Sequence, residues 1–178
     1  RLAACRRQAP QSFTLCIYTA KYHYLYLSFE RLHPIELKFK AIHPKIGREI
    51  PLPQFATPGS AAMDLRACLD GPVTLQAGAR AVIPTGLAMA LPSADYVALV
   101  FARSGLGIKK GIALSNGVGV IDSDYRGEVG MGLINLSDEP YTIQPGDRVA
   151  QMMISPVILP ALRFVDELDE TARGAGGL

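Results

Sequence analysis

An all-β fold, a jelly-roll-like sandwich or barrel, is what this sequence predicts, and three observations carry the expectation. Short runs rich in β-branched and aromatic residues recur along most of the chain. Turn combinations built on glycine, proline, asparagine and aspartate separate them. The one plausible helix is short and follows Ser104. Regular spacing of this kind belongs to sandwiches and jelly rolls.

In chain order, Ile35, Leu37 and Phe39 alternate with Glu36, Lys38 and Lys40, the period-two pattern of a half-buried strand. Residues 73–75, 81–91, 96–102, 128–136 and 148–154 are the further strand candidates. Between them lie Asp70-Gly71-Pro72, Leu91-Pro92-Ser93, Asn116-Gly117, Asp138-Glu139-Pro140 and Gln144-Pro145-Gly146-Asp147. Glycine admits positive φ and proline presets the first corner, so these are turns with a mechanism. No internal repeat is visible.

A chain of 178 residues can bury one sizeable core. With 49% hydrophobic and 19% charged residues it reads as globular, neither disordered nor fibrous. No apolar run is long enough to cross a bilayer as a helix, so no membrane partner is expected. The charge divides unevenly. Residues 1–34 hold Arg1, Arg6, Arg7, Lys21 and Arg31 against Glu30, a balance of +4. Residues 35–178 hold 13 basic against 15 acidic residues, a balance of −2. A slightly acidic body argues against nucleic-acid binding, which needs a broad basic face. Any anion must be held locally, by a few placed groups.

Cys5, Cys16 and Cys68 are odd in number and widely spaced, which suits a reducing, cytoplasmic compartment and excludes a disulfide framework. Cys68 reads as a small buried apolar residue. His23, His33 and His43 all precede residue 44. The body of the chain therefore has no Ser-His or Cys-His couple, and carboxylates or a bound metal must do the proton and electrostatic work.

Residues 1–34 differ from the rest of the chain: they carry four of the seven tyrosines and no acid before Glu30. A basic, acid-poor start is like a transit peptide, but the Tyr-rich run 18–26 favours an extension or upstream translation. The organisation expected is a leader over 1–34, a β-domain over 35–165 and a flexible glycine-rich arm over 166–178. Asn135-Leu136-Ser137 matches a glycosylation sequon and is read as incidental.

Four segments pack small and charged residues more densely than a sheet needs. They are Gly59 to Ala67, Ala102 to Gly107, Asn116 to Gly127 and Gly146 to Met152. Gly105-Leu106-Gly107 fits no dinucleotide fingerprint, since position 110 is Lys, and no P-loop lysine motif exists. Arg103-Ser104-Gly105 could simply begin a helix. Such a start nevertheless offers free amides, a hydroxyl and a guanidinium, which together suit a phosphate. In the third segment Asn116-Gly117 is a hairpin signal, and Gly119 lets backbone come close to a ligand. Of Asp122 and Asp124, read in an extended run, one should face a pocket and the other be solvated or structural.

In order and spacing these four segments resemble the first four motifs of the trimeric dUTPase family, over about residues 35–177. Arg103-Ser104-Gly105 and the stretch from Gly119 to Gly127 carry most of the resemblance; Gly146-Asp147-Arg148 and Gln151 are weaker individually. The resemblance implies a magnesium-dependent homotrimer with shared active sites, cleaving dUTP to dUMP and pyrophosphate. That reaction keeps uracil out of DNA and supplies dUMP for thymidylate synthesis. It implies Asp122 as the carboxylate that orients and deprotonates the attacking water. Arg103, Ser104 and Gly105 would hold the phosphates, with Ser104 near the bridging oxygen that leaves. Asn116, Val120, Ile121 and Gly130 would line the hairpin that reads uracil. Tyr125 would stack under the deoxyribose and leave no room for a 2′-hydroxyl. Asp64 and Gln151 would support the phosphate end, Asp64 through water bound to Mg2+.

The family's fifth motif is a glycine-rich tail that folds over a neighbouring subunit's phosphates. Residues 172–177 begin it here, with Arg173 expected on the terminal phosphate, and the sequence reaches Leu178 where the family has an aromatic residue and Gly-Ser-Thr-Gly. The rival readings are a dCTP deaminase-like enzyme of the same fold, and a nucleotide-binding trimer with weak catalysis. The pattern Asp122-Ser123-Asp124-Tyr125 argues for the dUTPase.

Overall fold

The computed structural model describes residues 35–176. The leader assigned to 1–34 and the last two residues of the tail lie outside them. Leu37–Leu178 forms one compact unit.

Among the described residues ten strands and one helix occur in this order: β1 (Lys38–Ala41), β2 (Met63–Arg66), β3 (Val73–Leu75), β4 (Arg80–Ala90), β5 (Tyr96–Ala102), α1 (Ser104–Lys110), β6 (Ile112–Leu114), β7 (Gly119–Ile121), β8 (Glu128–Asn135), β9 (Tyr141–Ile143) and β10 (Arg148–Pro156). The strands make two four-stranded antiparallel sheets, ordered β1-β4-β8-β6 and β2-β10-β5-β7, with a small β3-β9 ribbon. This is the jelly-roll-like, all-β architecture that the turn spacing predicts. β3 and β5 keep the expected bounds, and α1 is the short helix after Ser104. β2, β6, β7 and β9 are additional.

Period-two alternation builds the core. Along β8, Val129, Met131, Leu133 and Asn135 are buried, while Glu128, Gly130, Gly132 and Ile134 face outward or are half-buried. The buried side chains of β8 and β4 (Ile83, Met89) meet those of β2 (Met63, Leu65), β5 (Ala98, Val100) and β10 (Val149, Ala150, Met152) in one cluster. The two sheets therefore pack face to face. Burying a Leu or Met side chain of this kind contributes about 1.5–3 kcal/mol.

Two buried polar side chains are fully partnered. Thr85 donates its hydroxyl to the Val129 carbonyl at 2.6 Å. Asn135, wholly buried, donates its amide to the carbonyls of Leu75 and Glu139 at 2.9 and 2.8 Å and accepts from Ser137 N–H at 2.9 Å. That amide is consumed by the fold, so the sequon at Asn135 is no glycan acceptor in the folded chain.

β4 is interrupted by a bulge between Pro84 and Ala88. Gly86 sits there at φ +69°, and a Cβ on it would lie 2.8 Å from Cys68 Sγ, so only glycine fits. Cys68 is buried beside Ile46, Ile50 and Leu87, and burial pushes its thiol pKa up.

After β10 the chain from residue 157 to 176 forms no strand and is exposed throughout, although it carries Ile158, Leu159, Leu162, Phe164 and Leu168. Phe164 is 96% exposed. Among the described residues no helix is long and apolar enough to cross a membrane.

Candidate active site

β6 closes one sheet and β7 closes the other, and the chain passes from the first edge to the second through the Asn116-Gly117 turn. Gly117 takes φ +75° there, the conformation that makes Asn-Gly a tight turn. A cleft of about 240 Å³ opens where these edges meet. Val100 and Leu114 form its floor with Val129 and Met131, all buried. Asn116, Gly119, Val120 and Ile121 form one wall, and Glu128, Gly130 and Gly132 the other. Asp122 and Tyr125, both exposed, complete its lining.

β7 pairs with β5 on one side only, Gly119 opposite Val100 and Ile121 opposite Ala98. Among the described residues its other edge has no strand partner, which leaves a row of amides and carbonyls unpaired beside the cleft. Gly119 also allows a close approach between strands: a Cβ there would lie 3.0 Å from the Val100 Cβ.

The chain is extended only to Ile121. It then turns, Tyr125 N–H donating to the Asp122 carbonyl at 3.2 Å. Both Asp122 and Asp124 are exposed, and of the two only Asp122 lines the cleft. Tyr125 lies back over Gly127, its hydroxyl donating to the Glu128 carbonyl at 3.0 Å. The side chain of Glu128 turns to the β4 bulge, where Oε1 accepts the Gly86 N–H at 2.7 Å.

A second group gathers on the other sheet. Register sets Gln151 of β10 directly between Asp64 of β2 and Phe101 of β5. Asp64 accepts from Arg103 Nε at 2.8 Å and from Arg148 Nη1 at 3.1 Å, and Arg103 Nη1 also donates to the Arg148 carbonyl at 3.0 Å. The guanidinium of Arg103 is thus fixed in direction by two acceptors. Gln151 Nε2 donates to the Ala102 carbonyl at 3.2 Å. Ser104 and Gly105 come next as the exposed first residues of α1, whose first turn holds no acid; Leu106 and Gly107 donate their amides to the Arg103 carbonyl, and those of Ser104 and Gly105 have no intrahelical acceptor.

The fold therefore sorts the expected site residues into separate places. Asn116, Val120, Ile121, Asp122, Tyr125 and Gly130 line the cleft. Arg103, Ser104, Gly105 and Gln151 do not; they belong to the Asp64 cluster and the start of α1. Arg173 is in the exposed tail, its Nε donating to the Gly176 carbonyl at 2.6 Å. Sequence reasoning missed Val100, Leu114, Glu128, Val129, Met131 and Gly132 as cleft residues and Arg148 as a partner of Asp64. For β8 the outward-facing row Glu128, Gly130, Gly132 was the available signal. For Arg148 nothing local was.

Among the described residues no group of three or more His, Cys, Asp or Glu could hold a metal ion.

A family model described as dUTPase matches residues 48–178. The deoxyuridine 5'-triphosphate nucleotidohydrolase of Idiomarina loihiensis is 49% identical over 142 residues, which is 80% of this chain and 94% of that protein. Among solved structures, the dUTPase of Staphylococcus bacteriophage 80alpha with dUPNHPP superposes with a TM-score of 0.69 at 25% identity, covering 80% of this chain and 96% of that one. A mutant dUTPase from phage phi11 of S. aureus, described as coordinating a structural Mg(II) ion, gives a TM-score of 0.65 at 24% identity over 76% of this chain and 99% of that one.

Proposed function

The chain belongs to the dUTPase family, and from that premise we propose that it hydrolyses dUTP to dUMP and pyrophosphate with Asp122 as the base. The observation that carries the assignment of roles is the cleft itself. A free strand edge, a carboxylate and an aromatic ring converge on one space of nucleoside size.

Uracil is read by the edge of β7 together with Asn116 and Gly130, largely through backbone groups. Such a row pairs with the base as another strand would, and a cytosine, with its donor and acceptor reversed, leaves buried polar groups unpaired. Tyr125 walls the sugar and excludes a 2′-hydroxyl by contact. Arg103, Ser104 and Gly105 hold phosphate oxygens, Gln151 supports them, and Arg173 reaches the terminal phosphate. Water attacks the α-phosphorus in line; its proton passes to the Asp122 carboxylate as the bond to the bridging oxygen breaks and pyrophosphate leaves.

Magnesium belongs to the substrate on this reading. Both oxygens of Asp64, the residue expected to reach the ion through water, lie against guanidinium groups, so the residues present do not build a metal cage. As a hard cation that keeps its waters and prefers phosphate oxygens, it would lower the charge of the triphosphate.

Phosphate-holding residues that do not line the cleft fit a site completed by a second chain. The exposed apolar run 157–168 fits a segment that packs on a neighbour. Both support a homotrimer, and sedimentation showing a fully active monomer at assay concentration would defeat it.

The test of the reaction is pyrophosphate release across the deoxynucleoside triphosphates and UTP. Release from dUTP alone, without ammonia from dCTP, is the expected result. Deamination of dCTP would overturn it; the cleft's one glutamate, Glu128, already spends Oε1 on the Gly86 amide.

A further inference from the structure

We infer that Gly127 is a specificity-determining residue, because its bare Cα is the seat on which the Tyr125 ring lies. A Cβ built on Gly127 would meet the Tyr125 hydroxyl, and would stand 2.6 Å from Cζ and 3.0 Å from Cε2. Real Cβ atoms do not come so near. The glycine is not required for its backbone, since Gly127 is absent from the positive-φ residues. It is required for the ring.

The ring is held from two sides. Gly127 lets the hydroxyl end of the ring come in against the turn, and the Glu128 carbonyl accepts its hydroxyl at 3.0 Å. Both holds are made within three residues, so the ring angle is set by the turn itself. Tyr125 is otherwise 46% exposed, and an aromatic side chain in that position would ordinarily exchange rotamers freely. Glu128 in turn is tied through Oε1 to the Gly86 amide at the β4 bulge, 2.7 Å away. The wall of the sugar pocket is thereby tied to the β8–β4 pairing at the bulge. A methyl group at 127 lifts the ring, breaks its bond to the Glu128 carbonyl and leaves the wall loose. A loose wall still accepts a deoxyribose and no longer rejects a ribose.

This inference rests on the reading of Tyr125 as that wall, and the experiment separates the two. kcat/KM for dUTP and for UTP is measured in the wild type, Tyr125→Ala, Gly127→Ala, the double variant and Tyr125→Phe. The expected result for Gly127→Ala is a fall of about tenfold or more in the preference for dUTP, on the scale of one lost steric contact. The same substitution in the Tyr125→Ala background should change the preference no further. Tyr125→Phe keeps the ring and loses its anchor, and should lower the preference by roughly threefold. It carries the test if Gly127→Ala does not fold.

If Tyr125→Ala destroys the preference while Gly127→Ala and Tyr125→Phe keep it, the wall stands and the seat is wrong. A Gly127→Ala effect that persists undiminished without the ring also overturns the inference. If Tyr125→Ala leaves the preference intact, the wall reading falls first and the seat falls with it.

Discussion

The carboxylate of Asp64 lies 2.8 Å from Nε of Arg103, although β2, which carries Asp64, and β5, which Arg103 follows, are not neighbours. The bond reaches across β10, whose Arg148 takes the second oxygen at 3.1 Å. One carboxylate thus fixes two guanidinium groups at the place where phosphate is proposed to bind.

Replacing Asp64 by Ala should therefore harm activity more than folding. The side chain is 23% exposed, and partly solvated ion pairs contribute only about 1 kcal/mol or less to stability. Freed from its acceptor, Arg103 loses its direction, and kcat/KM for dUTP should fall about tenfold, about 1.4 kcal/mol of transition-state stabilisation. A melting temperature that collapses while the remaining folded fraction is fully active would reverse this reading.

Asp122→Asn should abolish turnover and leave binding of a non-hydrolysable dUTP analogue nearly unchanged. No histidine lies beyond position 43, and of the two carboxylates lining the cleft Glu128 is engaged by the Gly86 amide, which leaves Asp122. Losing a general base costs about two to four orders of magnitude in rate. A variant within a few-fold of the wild-type rate removes Asp122 from the role.

Asn135→Ala should be the costliest of these changes for the fold. It strips donors from two carbonyls and an acceptor from the Ser137 amide, in a place closed to water. Unsatisfied buried groups cost about 1–3 kcal/mol each, so denaturant unfolding should shift by at least about 2 kcal/mol. A shift below about 0.5 kcal/mol would mean that water replaces the amide.

The Lys45–Asp70 pair, 2.7 Å apart, gives a sign for pH dependence. The hydrogen bond to Lys45 lowers the Asp70 pKa below its ordinary value, and the same bond raises that of Lys45. The contribution of Asp70 is full above the ordinary aspartate pKa and disappears as pH falls through the lowered one. That of Lys45 disappears only as pH rises through its raised value. Asp70→Asn should thus be slightly less stable than the wild type at neutral pH, and the gap should close in strong acid. A gap in melting temperature that widens on acidification would contradict the pairing.

How much of the fold and the site was legible in the chain depended on distance along it. Tyr96–Ala102 is long and apolar enough to announce itself, and Val73–Leu75 is framed by turns. Ile112–Leu114 and Tyr141–Ile143 have three residues each, too few for alternation to show. Met63–Arg66 was hidden by its charges, Asp64 pairing with Arg103 and Arg148 and Arg66 donating to the Gly146 carbonyl. The cleft was mostly readable because Asn116 to Gly130 is one local crossing between sheet edges. The partnership of Asp64 with Arg148 was not, since it arises from the register of β2 on β10 and no nearby residue encodes it.

That partnership spans 84 positions of sequence. Loop closure over such a stretch carries an entropic cost that grows only slowly with length, but a fold made of distant strand pairings must complete many such searches before any is rewarded. During synthesis, β2 emerges long before the strand that will cover it, with Met63 and Leu65 unsheltered. The proposed phosphate site is consequently among the last parts of the chain to exist, and no nascent fragment ending before β10 can contain it.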